Sequence, residues 1–415
     1  MAICMPSAGD LFPHIFNLIN SNIGVGLLAM PYCFHECGIL LTAIILLLMS
    51  VATYFSCVLI LKTTHQLKCD SLERAAFKSH GVAGKRIVDL CVIGLLFGML
   101  VGLNVAISDL GSEIFDTLYG GKASLTVRRS VLLFTIFIVL PFCCLRRVVF
   151  LSTSSFLAVF LYVTFLLNLL CNYAIPKMQS KQFTFGYFRL WRPQGLVHCV
   201  PIIASSVCCQ VQVNSIYSSL RNPSVTKMKK ILISAVTFIF SCYLFAGLLG
   251  YVAFYHGSGA AVAGDMLAMY PEDNRAFHIR VGFLYTVAAS IPLILFPLRT
   301  ALYSLLFKED LYEEGPLTVQ FPPTIPDVYF RYLTLGIIFL SMIASQTTDR
   351  VEVILTYTGG LAGGACCYLL PAAIGARALG VRKRSLEMGL MILLLCGLGV
   401  LILLSPFLTF LGVDV

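Results

Sequence analysis

Apolar residues gather into eleven runs of about 20 residues, the length an α-helix needs to cross the hydrocarbon core of a bilayer. They cover residues 12–33, 38–61, 87–114, 130–145, 148–175, 196–219, 230–255, 278–303, 331–345, 351–376 and 386–411. Most read as plain lipid-type helices. Two do not. Residues 17–31 read NLINSNIGVGLLAMP, with Asn17, Asn20, Ser21, Asn22, Gly24 and Gly26 crowded into the first ten positions. Residues 205–219 read SSVCCQVQVNSIYSS, where Gln210, Gln212 and Asn214 alternate with apolar residues. Inside hydrocarbon every exposed polar group needs a partner, so such stretches face a cavity or unwind. Gly24 and Gly26 are the residues that let the first run open. On its own that run is open to two readings, a binding site or a small-residue face for close helix packing.

Each interrupted run opens a series of five. That spacing is the pattern of an inverted five-plus-five repeat, with half-helices meeting around substrate and ion near the bilayer midplane. The reading makes residues 1–415 one transmembrane domain, with 12–175 as the first repeat, 196–376 as the second and 386–411 as an eleventh helix.

Other runs add chemistry. The eighth holds TVAASIPLILFPLR, where Thr286, Ala289 and Ser290 share one helical face and Pro292 leaves a carbonyl one turn back without its N–H partner. Oxygens on such a face suit a small hard cation, although Ser and Thr also bond back to their own helix. The third run carries Asp89, Asp109 and Glu113 near its ends, as functional acids or as interfacial carboxylates paired with loops. Residues 71–81, SLERAAFKSHG, resemble a short amphipathic helix lying in the interface. Trp191 and the neighbouring Phe183, Phe185, Tyr187 and Phe188 suit the headgroup belt.

Composition agrees: 58% of residues are hydrophobic, 12% are charged and the mean hydropathy is +0.89. The chain therefore reads as an all-α polytopic membrane protein, and its net charge of +9 points to loops at a membrane rather than to nucleic acid. Lys and Arg concentrate in 62–86, 221–230 and 377–384, which with eleven spans places the N-terminus in the cytoplasm. Arg146 and Arg147 form a short cytoplasmic turn on this reading. Residues 1–10 lack the basic region of a cleavable signal. Most of the sixteen cysteines lie in apolar runs without metal spacing, as small packing residues. No hydrolase, protease or phosphate-loop motif appears, so the chain reads as no enzyme and any energy source as an ion gradient.

Several stretches carry a family resemblance: FNLINSNIGVGLLAMPYCFHECG at 16–38, ISDLGSEIF at 107–115, CVPIIASSVCCQVQVNSIYSSLRNPS at 199–224, IPLILFPLRTAL at 291–302 and TGGLAGGACCYLLPA at 358–372. On these the chain resembles the amino acid/auxin permease family, and within it the sodium-coupled neutral amino acid transporters of the tenth-member type. The resemblance implies a LeuT-like fold of ten helices in two inverted repeats plus an eleventh, working by alternating access. It implies that a substrate carboxylate meets backbone N–H groups around Asn22, Val25 and Gly26, beside Ser21, with Gly24 opening the backbone. The ammonium would meet carbonyls around Ser205, Ser206, Cys208 and Cys209. A sodium ion would use Asn20 and Ile23 with Thr286, Ala289 and Ser290, where Ala289 offers only a backbone oxygen.

The expected function is secondary active transport of a small neutral amino acid of the glutamine or alanine kind, coupled to sodium as the only cofactor-like ion. The partners are the amino acid and the lipid bilayer, with no nucleic acid, and the chain is expected to be a monomer. Proton coupling through His14, Asp109 or Glu113, or an amino acid sensor with little flux, are the alternatives. The membrane is the plasma membrane or an endomembrane such as the Golgi or lysosome.

Overall fold

A computed structural model describes residues 11–69, 71–119, 125–145, 151–180, 188–255, 266–270, 274–307, 325–346, 351–379 and 386–410. Arg146 and Arg147, Phe183, Phe185 and Tyr187, residues 1–10, and 380–384 of the basic stretch after Arg377 lie outside the described residues. Everything described is helix or connection, with no strand. Ten helices among the described residues are long and apolar enough to cross a membrane.

The first apolar run forms two helices, α1 (Phe12–Ile23) and α2 (Gly26–Cys37), separated at Gly24 and Val25. Each has 12 residues, so neither is counted among the ten. At 1.5 Å per residue each half reaches only about 18 Å. The second run is the uninterrupted α3 (Ile39–Gln66). The amphipathic stretch near residue 71 and the third run join as α4 (Leu72–Tyr119), bent at Gly81, whose φ of 70° and ψ of −162° leave the helical region. A side chain there would be strained at this positive φ, which is why a glycine makes this corner. The helix resumes at once after the corner, so the third crossing is longer than the expected 87–114.

The fourth run is α5 (Leu125–Cys143), which contains Pro141. The fifth is α6 (Ser152–Asn168), continued by wide π-type turns at Leu169–Ala174 and by α7 (Ile175–Gln179). The sixth run is broken as the first is: α8 (Leu196–Ser206) stops, Val207 to Cys209 leave the helix, and a 3-10 turn leads into α9 (Val213–Ser219). The remaining spans are α10 (Val225–Phe254), α11 (Asn274–Phe307), α12 (Asp327–Ala344), a tenth built from α13 (Val351–Tyr357), wide turns at Thr358–Leu369 and α14 (Leu370–Ala378), and α15 (Leu386–Phe410).

Packing puts the two breaks at the centre. α1 touches α6, α10 and α11, while α2 touches α8 and α10. Residues from Asn17 to Pro31 are all buried, whereas α5, α12 and α15 turn much of their apolar surface outward, as helices against lipid do. The two acids of the third run that stand near its C-terminal end are paired. Arg128 bonds the carboxylate of Asp109, and Arg280 lies 2.9 Å from Glu113 while also reaching Thr117 and the carbonyls of Leu267 and Tyr270. Asp89 is bound at 3.0 Å by Lys85, one turn before it, with both side chains buried.

Candidate functional site

Two oxygen clusters form where the broken helices meet regular ones. The first is centred on Tyr243 of α10, which is fully buried. Its hydroxyl lies 2.8 Å from the carbonyl of Asn22 and 3.4 Å from that of Ile23, at the end of α1. It also lies 2.9 Å from the carbonyl of Ser206, at the end of α8. One hydroxyl carries one proton, so it satisfies one of these carbonyls at a time and leaves lone pairs on the others. Helix ends supply such carbonyls because their last turn has no intrahelical donor.

The close approach depends on Gly26. A Cβ built there would lie 2.5 Å from the Ser206 Oγ and 2.8 Å from its Cβ, so any larger residue would push the two breaks apart. Gly26 is thus a packing glycine against Ser206, while Asn22 and Ile23 turn their carbonyls to the Tyr243 hydroxyl. Below this point Ser21 donates to the Gln212 Oε1, a second link between the broken helices. Asn22 donates through Nδ2 to the carbonyl of Leu18 at 2.9 Å, and its Oδ1 is buried with no hydrogen-bond partner among the described residues. Val25 stands as the N-cap of α2, whose first backbone N–H groups have no acceptor inside the helix.

The second cluster is centred on Ser290 of α11. Its hydroxyl lies 2.9 Å from the Thr286 carbonyl, 3.1 Å from the Asn20 carbonyl and 3.4 Å from the Asn20 Oδ1. The Tyr162 hydroxyl reaches the same Oδ1 at 3.4 Å, and Asn20 Nδ2 donates to Ser155 at 3.4 Å. Asn20, Thr286, Ser290, Ser155 and Tyr162 are all buried. Oxygens again outnumber protons, which is the donor set a hard cation takes.

Of the residues singled out in the sequence, the structure brings Asn20, Thr286 and Ser290 together, with the Thr286 hydroxyl bonded back to Phe283 at 2.8 Å. The Ile23 carbonyl faces Tyr243, and Ala289 lies on a partly exposed side of α11. The hydroxyls of Ser205 and Ser206 bond back to the Ile202 carbonyl, and the Cys209 carbonyl accepts from Gln212 N, which leaves the Ser206 carbonyl as the one held at the first cluster. The thiols of Cys208 and Cys209 point away, toward Cys367 and Cys57.

Tyr243, Tyr162 and Ser155 were not singled out in the sequence, since each sits in an otherwise regular apolar helix. A signal did exist: a tyrosine in mid-span carries a hydroxyl that hydrocarbon cannot satisfy.

Comparisons with known proteins follow the same line. A family model described as "Transmembrane amino acid transporter protein" matches residues 10–410. Solute carrier family 38 member 10 of Mus musculus is 35% identical over 369 residues, covering 88% of this chain and 33% of that protein. Its Homo sapiens counterpart is 34% identical over 393 residues, covering 94% of this chain and 34% of that protein. The chain therefore spans about a third of the length of these curated relatives. Among solved structures, MhsT in complex with L-phenylalanine superposes with a TM-score of 0.63 at 14% identity, covering 97% of this chain and 98% of that one. That likeness shows a LeuT-like all-α membrane fold. With nearly the whole chain matched, it belongs to the transmembrane amino acid transporter protein family.

Proposed function

We propose that this chain carries a small neutral amino acid across a membrane by alternating access, with sodium as the coupling ion. The observation that carries the reading is a proton-poor oxygen cluster where the ends of α1 and α8 meet, with a second where α1 meets α11. An amino acid has an ammonium and a carboxylate on one carbon. The carbonyls of Ser206 and of the α1 end suit the ammonium, while the N-terminus of α2, from Val25 and Gly26, suits the carboxylate. Asn22 Oδ1, buried with no partner among the described residues, adds an acceptor for a substrate N–H. Asn20, Thr286 and Ser290 suit the ion, so that substrate and ion both engage α1 and each favours the state the other favours.

On this reading the α1 and α2 pair is the first of eleven crossings, with repeats at 12–175 and 196–376, the N-terminus in the cytoplasm and one chain as the working unit. The test is uptake of labelled glutamine, alanine and glutamate into proteoliposomes with and without an inward sodium gradient. Uptake of glutamine or alanine that rises with the gradient is expected; uptake equal to empty vesicles for all three would sink the reading.

Proton coupling has one observation of its own. His14 lines a cavity of about 30 Å³ with Asn17, Gln212, Ser215 and Ser219, and its Nδ1 lies 3.4 Å from Ser219 Oγ. That space is large enough to admit water. Uptake driven by a pH gradient and indifferent to sodium would select this version.

A further inference from the structure

The adjacent cysteines in the break of the sixth span reach in different directions, each to a thiol of another span. Cys209 Sγ lies 3.5 Å from Cys57 Sγ on α3. Cys208 Sγ lies 2.7 Å from Cys367 Sγ in the wide turns of the tenth span. The second pair is in tighter contact than the roughly 3.5–4.0 Å at which smaller carbon atoms pack. Its frame is held from both sides, because the Cys367 carbonyl accepts from Ser56 Oγ of α3 and from Gln210 Nε2 at 3.2 Å, two residues beyond Cys208. Gly359, earlier in the same turns, lies against the Pro201 carbonyl and Ser205 of α8. The tenth span is therefore fitted closely to the segment that the proposed transport cycle must move.

We propose that Cys208 and Cys367 are an oxidisable pair, which a hydroperoxide converts into an intrachain disulfide tying the break of the sixth span to the tenth. Its consequence for transport rests on the function proposed above. Cys208 is 7% exposed and Cys367 is fully buried, so Cys208 is the thiol that meets the oxidant. Its sulfur attacks the terminal peroxide oxygen; the O–O bond breaks, a sulfenic acid forms on Cys208, and the displaced oxyanion takes the thiol proton and leaves as an alcohol, or as water when the oxidant is hydrogen peroxide. The Cys367 sulfur then attacks the Cys208 sulfur and displaces the hydroxyl, which leaves as water with the Cys367 proton. The two thiols lose two electrons and one hydroperoxide gains them. With hydrogen peroxide both leaving molecules are water.

The full chain in proteoliposomes is treated with hydrogen peroxide, denatured, alkylated with N-ethylmaleimide and mapped by mass spectrometry without reduction. A peptide linking Cys208 to Cys367 is expected as the main product, lost again on reduction with a phosphine. Hydrogen exchange at the amides of 207–212 should slow at least tenfold in the oxidised protein. Labelled amino acid uptake should fall at least fivefold and return on reduction, while Cys367→Ser keeps its untreated uptake and ignores peroxide. Cys144 and Cys171, both exposed, report that the oxidant has acted. If those two are oxidised while Cys208 and Cys367 remain fully alkylatable, the pair is refuted. A linked peptide without slower exchange refutes the tether. If the peptide and slow exchange appear but the untreated protein takes up no amino acid, the tether stands and the transport reading fails.

Discussion

Replacing Tyr243 with phenylalanine isolates the hydroxyl that joins the two breaks. The ring is fully buried and keeps its shape, so no cavity opens and the change is confined to one oxygen and one proton. What is lost is the donor shared by the Asn22 carbonyl at 2.8 Å and the Ser206 carbonyl at 2.9 Å. A buried acceptor left without its donor costs about 1–3 kcal/mol, and because only one carbonyl was served at a time the loss is counted once. If the hydroxyl holds the two helix ends at the spacing an ammonium needs, most of that energy appears as lost substrate affinity, about 5- to 150-fold. The assay is substrate concentration dependence of uptake in proteoliposomes, with thermal unfolding measured alongside. KM should rise at least fivefold while the sodium activation curve shifts less, because Ser290 and Asn20 are untouched. An unchanged KM with an unchanged unfolding temperature would refute the argument that this hydroxyl organises the breaks.

Ser290→Ala removes the hydroxyl at the centre of the second cluster and should raise the sodium concentration for half-maximal uptake several-fold, with a smaller change in substrate KM; the sodium activation curve checks it. Gly26→Ala places a methyl 2.5 Å from Ser206 Oγ and should cost about 1–3 kcal/mol of stability, partly recovered by adding Ser206→Gly, as read from thermal unfolding of the two proteins. Glu113→Gln leaves the buried Arg280 without its carboxylate 2.9 Å away, so folded yield should drop; Glu113→Gln with Arg280→Gln should recover yield and keep the pH dependence of uptake, which would differ if Glu113 carried a coupled proton.

Residues 17–26 show how much of the site was legible in the chain. Asn17, Asn20, Ser21 and Asn22 inside an apolar run announce a break, because each polar group in hydrocarbon demands a partner whatever the rest of the fold does. The break at Gly24 and Val25 and the matching one at Val207 to Cys209 follow from that local rule. The Thr286 and Ser290 pair was legible for a similar reason, helical spacing on one face.

The length and polarity of the apolar runs determined by themselves that this is a helical membrane protein with two broken spans, since crossing a bilayer and satisfying polar groups there are demands met within one segment. Only the tertiary structure decided which oxygens share a point in space. Tyr243 lies 220 residues from Ile23, Ser290 lies 270 from Asn20 and Tyr162 lies 142 from Asn20, and nothing in their own helices marks the register that brings them together. That register is set by packing, such as the fit of Gly26 against Ser206, and packing between helices is a property of two surfaces at once.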